Sequence, residues 1–140
     1  MSRSLSVEVV TPSATLYKGE VEMVVAMTTE GEVGILPLHV PIVAELAPGE
    51  LRLKKGSAED TQYFATYGGY LQCADDRMIV LTDNAVDARN IDVASLEQEA
   101  TSLAERIKAL PSDALDERAE LERELEWTQN CIKVGKRHNA

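Results

Sequence analysis

The spacing of apolar residues changes near residue 90, and this change limits the chain to two structural classes in series. Before it, short runs alternate, as Leu5, Val7 and Val9 do against Ser6 and Glu8. Such alternation is typical of strands that bury one face. Seven of the eight glycines and four of the five prolines also precede residue 90. The first part therefore predicts many short strands joined by tight turns, in a sandwich or barrel.

Two further alternating runs in the first part predict which residues face the core. We assign to buried faces Val21, Met23, Val25 and Met27, and also Tyr63, Ala65 and Tyr67. In each run the intervening residues are expected to face outward.

After residue 90 the spacing becomes helical. Asp92 is suited to cap a helix, and Pro111 interrupts the pattern, after which Ser112 or Asp113 is suited to cap a second helix. The apolar stripes are Leu96, Ala100, Leu103, Ile107 and Leu110, then Leu121, Leu125, Thr128 and Ile132. Two striped helices joined by a short connection favour an antiparallel hairpin.

Charge and composition exclude several classes of partner. The formal net charge of -10 disfavours nucleic acid and anionic lipid, which are themselves negative. No apolar run approaches the ~20 residues of a spanning helix, so we expect no direct membrane insertion. The two cysteines, Cys73 and Cys131, are far apart and predict neither a disulfide framework nor a zinc site.

The sequence contains no recognisable catalytic constellation. There is no phosphate-binding glycine loop with its lysine, and the two histidines are His39 and His138. His39, flanked by Pro37 and Pro41, is either a loop histidine bonded to backbone or a group that transfers protons. Turn chemistry accounts for the adjacent carboxylates Asp75 and Asp76. We expect a protein that is not an enzyme and has no cofactor.

A specific family pattern lies in the segment Glu30-Gly31-Glu32-Val33-Gly34-Ile35-Leu36-Pro37-Leu38-His39-Val40-Pro41. It resembles the corresponding segment of the epsilon subunits of F-type ATP synthases. Other pieces follow in the family's order: Val9-Val10-Thr11-Pro12, Tyr17-Lys18-Gly19-Glu20, Pro48-Gly49-Glu50-Leu51, Gly68-Gly69-Tyr70-Leu71 and Val80-Leu81-Thr82-Asp83-Asn84-Ala85. The similarity covers essentially the whole chain.

The resemblance implies a ten-stranded β-sandwich over 1–87, followed by a C-terminal antiparallel two-helix hairpin over 88–140. It implies a non-catalytic subunit of the rotating central stalk, at the cytoplasmic face of the bacterial inner membrane. The sandwich would bind the gamma subunit and the c-ring, so that proton-driven rotation of the ring is coupled to ATP synthesis on other chains.

Particular residues acquire roles through this resemblance. Glu30, Gly31, Glu32 and His39 would contact the c-ring. The hairpin would be regulatory and inhibit ATP hydrolysis by reaching the alpha/beta catalytic head. Its residues in that role are Leu96, Leu103, Ile107, Leu121, Leu125, Arg118, Arg123 and Lys133. Because the second helix also carries many glutamates, its cations would bind the alpha/beta head only weakly.

An ATP site is the least supported implication. Some relatives bind ATP where the first helix begins, which here corresponds to Ile91 and Asp92. Ser95 stands where those relatives have arginine, and Val86 where they often have glutamate. Without the cation that pairs with phosphate, we expect no tight ATP binding.

Two rival interpretations remain. One is a stand-alone protein-binding module built from the same sandwich and hairpin. The other is a small hydrolase, which requires folding to join His39 to a carboxylate in one pocket.

Overall fold

The computed structural model describes residues 3–138, and contacts divide the chain into two units, Met1–Asp87 and Ala88–Ala140. Among the described residues, ten strands build the first unit. They are β1 (Leu5–Val10), β2 (Thr15–Val21), β3 (Met23–Thr28), β4 (Gly31–Ile35), β5 (Ile42–Glu45), β6 (Gly49–Lys54), β7 (Thr61–Tyr67), β8 (Tyr70–Ala74), β9 (Arg77–Leu81) and β10 (Asn84–Asp87). A short 3-10 helix, Ala58–Asp60, precedes β7.

The ten strands form two sheets of five. The first sheet has the order β2-β1-β9-β8-β5, and the second has the order β10-β7-β6-β3-β4. Strands β1 and β9 run parallel, while the other neighbouring strands run antiparallel. Side chains from both sheets share one apolar core. This arrangement confirms the predicted ten-stranded β-sandwich.

The alternation predicted for the first strand is confirmed. Leu5, Val7 and Val9 are completely buried, and the parallel register places Met78 opposite Val7 and Val80 opposite Val9. Each pair adds apolar area to the core at roughly 25 cal/mol for every Å² removed from water. The parallel pair therefore anchors the centre of the first sheet.

Of the residues predicted to be buried between Val21 and Met27, Val21 and Val25 are buried, whereas Met23 and Met27 are only half-buried. Val21 is buried in the core, but the strand is interrupted at Glu22, whose N–H donates to Lys54 O at 2.7 Å. Beyond the break, Val24 and Ala26 belong to the core cluster, and Met27 lies on the opposite face. The cause is a change of sheet, since β2 belongs to the first and β3 to the second. The alternation restarts at that corner.

The burial predicted for β7 is confirmed for Ala65, which is completely buried, and wrong for Tyr63 and Tyr67, which are half-buried. Phe64 lies in the core and pairs in register with Leu51 of β6, which is equally buried. Tyr63, Ala65 and Tyr67 therefore occupy the other face of the strand. Aromatic residues on both faces made this run ambiguous by period alone.

The second unit is helical. A 3-10 turn, Ala88–Asn90, leads into α1 (Val93–Ala109), which is joined by Pro111 and its neighbours to α2 (Leu115–His138). Lys136, near the end of α2, lies 3.0 Å from Glu97, near the start of α1. At the other end, Arg118 Nη1 donates to Ile107 O at 3.5 Å. The helices are therefore antiparallel, which confirms the predicted hairpin.

The predicted cap is confirmed for α1 and wrong for α2. Asp92 precedes α1, and its Oδ1 accepts a hydrogen bond of 3.2 Å from Ser95 N–H. α2 begins at Leu115, so neither Ser112 nor Asp113 occupies the cap position. That position belongs to Ala114, whose carbonyl accepts from Arg118 N–H. The connection after Pro111 is longer than the capping pattern indicated.

Candidate functional site

The turn between β3 and β4 is held by one threonine. Thr28 Oγ1 donates a hydrogen bond of 2.6 Å to Gly31 O and accepts one of 3.2 Å from Glu30 N–H. Gly31 has φ +119°, a conformation that favours glycine, although open space surrounds its Cβ position. The backbone conformation, rather than crowding, therefore requires glycine. The turn presents the exposed carboxylates of Glu30 and Glu32 to solvent.

Glu32 differs from Glu30 because it has a cation nearby. Arg52 Nη2 lies 3.6 Å from the Glu32 carboxylate, while Arg52 Nε donates to Glu50 at 2.8 Å. The hydrogen bond to Glu50 is the main reason that the pKa of Arg52 is raised. Among the residues that the structure describes, Glu30 has no ion-pair partner. Glu30 is therefore the uncompensated charge of this turn.

His39 lies at the other end of β4. β4 runs from Gly31 to Ile35, so its length of about 15 Å, at roughly 3.3 Å per residue, separates His39 from the Glu30 turn. His39 Nδ1 lies 2.7 Å from Val40 O, which is the arrangement of a loop histidine bonded to backbone. The structure thus brings Glu30, Gly31 and Glu32 together and places His39 apart from them.

The loop at residues 36–41, called here the 36–41 loop, exposes three apolar side chains. Leu36, Leu38 and Val40 have 55%, 68% and 71% of their surface accessible. Leu38 has φ +68°, which costs a residue with a Cβ roughly 1–2 kcal/mol. Its N–H donates to Asp76 Oδ1 at 2.7 Å, so the turn between β8 and β9 supports the loop.

The outer surface of the first sheet continues the apolar character of this loop. Val43, Tyr70 and Leu81 point away from the core and are 49–70% exposed; they are called here the outer apolar face. Tyr70 and Leu81 are register partners on β8 and β9. They line a shallow groove of about 590 Å³ whose wall includes Val10. Exposed apolar patches on a protein surface often mark sites of contact with other proteins.

The predicted regulatory residues lie on different faces of the hairpin. Leu103 is buried, and Leu96, Ile107, Leu121 and Leu125 are half-buried between the helices. Arg123 and Lys133 are exposed, whereas Arg118 is half-buried and directed to Ile107 O. The structure therefore uses the leucines and Arg118 to hold the hairpin, and leaves Arg123 and Lys133 at the surface.

Ile91 and Asp92, which correspond to the positions where some relatives bind ATP, both have structural contacts. Ile91 is buried, and a Cβ added to Gly135 of α2 would lie 2.6 Å from Ile91 Cγ2. The Asp92 carboxylate caps α1.

Both cysteines, Cys73 and Cys131, are free and buried. Burial raises the pKa of Cys131 to about 11, and burial also raises that of Cys73, so both remain thiols at neutral pH. Within residues 3–138, no group of three His, Cys, Asp or Glu side chains is arranged to hold a metal ion. No helix in that range is long and apolar enough to cross a membrane.

Comparison with known proteins decides the family. The family described as "ATP synthase, Delta/Epsilon chain, beta-sandwich domain" matches residues 4–88. The ATP synthase epsilon chain of Alkalihalophilus pseudofirmus is 40% identical over 113 residues, which is 81% of this chain and 84% of that one. The chain belongs to the ATP synthase epsilon chain family. The epsilon chain of Propionigenium modestum, described as sodium ion specific, is 36% identical over 79% of each chain.

Solved structures agree with this fold. A chain of the Euglena gracilis mitochondrial ATP synthase superposes with a TM-score of 0.76 at 22% identity, covering 94% of this epsilon chain and 81% of that chain. A chain of the central stalk and c-ring of the Tetrahymena thermophila mitochondrial ATP synthase gives 0.64 at 16% identity, covering 96% and 98%. The architecture is thus retained at identities where most side chains differ.

Sequence reasoning missed the support that Asp76 gives to the 36–41 loop and the outer apolar face of this epsilon chain. Asp76 was assigned to turn formation, and its φ of +59° agrees with that role. Its second role depends on a contact 38 positions away, which no local pattern reveals. The alternation of Leu36, Leu38 and Val40 with Pro37, His39 and Pro41 was the available signal for the exposed apolar loop.

Proposed function

We propose that this epsilon chain is a non-catalytic rotor subunit whose sandwich binds the gamma subunit through the outer apolar face and the 36–41 loop. The observation that carries the proposal is the exposure of Val43, Tyr70 and Leu81 on a sheet whose other face is filled by core residues. Burying such side chains in an interface gains about 25 cal/mol per Å² of apolar surface. The similarity to a chain of the Tetrahymena central stalk and c-ring supports a place beside other subunits of the stalk.

The β3–β4 turn is the proposed contact with the c-ring. Glu30 offers an uncompensated carboxylate, Glu32 offers one that is shared with Arg52, and Gly31 allows the tight turn. A cation on a ring loop would form a charge-assisted hydrogen bond with these groups. His39 joins this contact only if the ring surface extends along the whole of β4.

Coupling follows from the two contacts together. A subunit that holds gamma on one surface and the ring on another transmits torque between them, so proton-driven rotation of the ring turns gamma and drives ATP synthesis on other chains. This role places the subunit peripherally at the cytoplasmic face of the bacterial inner membrane.

The helical unit is the proposed inhibitor of ATP hydrolysis. Extension of the hairpin exposes the surface around Leu103, so the alpha/beta head must cover an equivalent area for both arrangements to be populated. The exposed cations Arg123 and Lys133 are available for an acidic surface of the head, but glutamates on the same helix oppose them. We infer a weak electrostatic contribution and a larger one from apolar contacts.

Co-purification tests the assignment as a stalk subunit. The tagged chain should bring gamma and the c-ring with it, whereas a stand-alone module would bring neither. Removing residues 91–140 within the assembled synthase should raise ATP hydrolysis and leave assembly intact. Unchanged hydrolysis would reject the inhibitory role, and absence of gamma would reject the stalk role.

A further inference from the structure

We propose that Asp76 is a positioning residue that holds the 36–41 loop in its docking conformation for gamma. The proposal rests on the proposed function, because it concerns the same surface. It adds that the Asp76 carboxylate, on the turn between β8 and β9, fixes the backbone of the loop that connects β4 to β5. The loop then presents Leu36, Leu38 and Val40 in one arrangement before gamma arrives.

The turn inside the loop needs outside support. His39 N–H donates to Leu36 O at 3.1 Å, which closes a four-residue turn around Pro37 and Leu38. Proline suits the first central position of such a turn, but a positive φ at the second usually requires glycine or asparagine. Leu38 occupies that second position with φ +68°. A leucine there is strained, so the turn persists because the surroundings determine it.

Asp76 supplies that support, and other contacts hold Asp76 itself in place. Its Oδ1 accepts the Leu38 N–H at 2.7 Å, and its Oδ2 accepts from Arg3 Nη2 at 3.0 Å. The Asp76 carbonyl accepts from Ser6 N–H at 2.9 Å, which ties the same residue to β1. The hydrogen bond from Leu38 is the main reason that the pKa of Asp76 is lowered, so the acceptor is a carboxylate at neutral pH.

The exposed side chains of the loop indicate docking as the purpose of this support. Leu36, Leu38 and Val40 are all more than half exposed and add little to the core. Fixing such a loop buries none of these three side chains, yet it lowers the conformational entropy lost on binding. The loop leads directly into β5, the strand that carries Val43 of the outer apolar face. One partner, gamma, therefore covers both.

The test compares two neighbouring aspartates in the full-length chain. Asp75 and Asp76 both have positive φ, but Asp75 makes no described side-chain contact. Asp76→Gly keeps the turn and removes the carboxylate, so affinity for purified gamma should fall about tenfold, as for a lost charge-assisted hydrogen bond. Asp76→Asn should fall about threefold, since it keeps a neutral acceptor. Asp75→Gly and Asp75→Asn should bind like the unaltered chain.

Two readouts separate positioning from general stability. The Leu38 amide should lose protection from hydrogen exchange in the Asp76 variants and keep it in the Asp75 variants. With Leu38→Ser as background, Asp76→Gly should weaken gamma binding much less than it does alone. Equal weakening in both backgrounds, or unchanged affinity in both Asp76 variants, overturns the proposal. Should Asp76→Gly fail to fold, the affinities of Asp76→Asn and Asp75→Asn for purified gamma are compared instead. If the unaltered chain does not bind gamma, the proposed function itself fails.

Discussion

The Glu32 carboxylate lies 3.6 Å from the Arg52 guanidinium, reaching across β3 from one neighbouring strand to the other. Arg52 is bonded more closely to Glu50, which is nearly buried, so Glu50 provides most of the neutralisation. The two carboxylates of the β3–β4 turn are consequently unequal. Glu30 is free to meet a partner, whereas Glu32 must be shared.

This inequality predicts different effects of charge reversal on attachment to the c-ring. Glu30→Lys should weaken binding of the chain to purified rings about fivefold, the size of one exposed charge pair. Its stability should not change. Glu32→Lys should weaken ring binding and proton-driven ATP synthesis as well, but it also places a lysine beside Arg52 and lowers the free energy of unfolding.

Glu32→Gln provides the control for the second effect, because it removes the charge without creating repulsion. Normal ring binding and normal ATP synthesis in both Glu30→Lys and Glu32→Lys would show that the turn does not contact the ring.

Gly135→Ala should destabilise the helical unit, contrary to helix propensity. Alanine ordinarily stabilises a helix interior by about 0.5–1 kcal/mol relative to glycine. Here the new Cβ would lie 2.6 Å from Ile91 Cγ2 and 2.8 Å from Val93 Cγ2, on two stiff branched side chains. We expect a loss of about 1–3 kcal/mol, measured by denaturant unfolding followed through helical circular dichroism. Gln129→Ala, at an exposed position of α2, should stay within about 0.5 kcal/mol.

Asp92→Ala should remove the cap of α1. The hydrogen bond from Ser95 N–H to the carboxylate is lost, and the expected cost is about 1 kcal/mol. Hydrogen exchange should accelerate at the first turn of α1. Ser112→Ala and Asp113→Ala should leave exchange at the start of α2 nearly unchanged, because neither residue caps that helix. Faster exchange in those two variants would contradict the observed cap position.

Acid should weaken the sandwich partly through Asp76. Hydrogen bonds from Leu38 and Arg3 lower the pKa of Asp76 from its usual 3.8, so the folded state favours the carboxylate. Its contribution is complete above pH 3.8 and is lost as the pH falls through the lower folded-state pKa. Between about pH 5 and pH 2, the free energy of unfolding should therefore fall more steeply for the unaltered chain than for Asp76→Asn. Parallel curves for the two proteins would contradict this contribution.

The sequence predicted the architecture well where patterns are local. Period-two runs and helical spacing led to both units, and Asp92 was correctly assigned as a cap. One error arose where the chain changes sheet, since the interruption of the strand at Glu22 reverses the inward face and no residue type indicates it. The 36–41 loop shows the same limit, because its conformation is set by Asp76, far along the chain. Local sequence patterns predict strands and helix caps, but they do not predict contacts between distant turns.

Docking of the sandwich on gamma is measured as the affinity of the full-length chain for purified gamma, by titration calorimetry. Val43→Asp places a charge on the outer apolar face, and Leu115→Asp places one in the helical unit; the two side chains are 70% and 69% exposed, so neither change disturbs a core. We expect tight binding by the unaltered chain and by Leu115→Asp, whereas the affinity of Val43→Asp should fall about a hundredfold or more because it buries an unpaired charge. Equal binding by both variants, or no binding by the unaltered chain, would contradict this expectation.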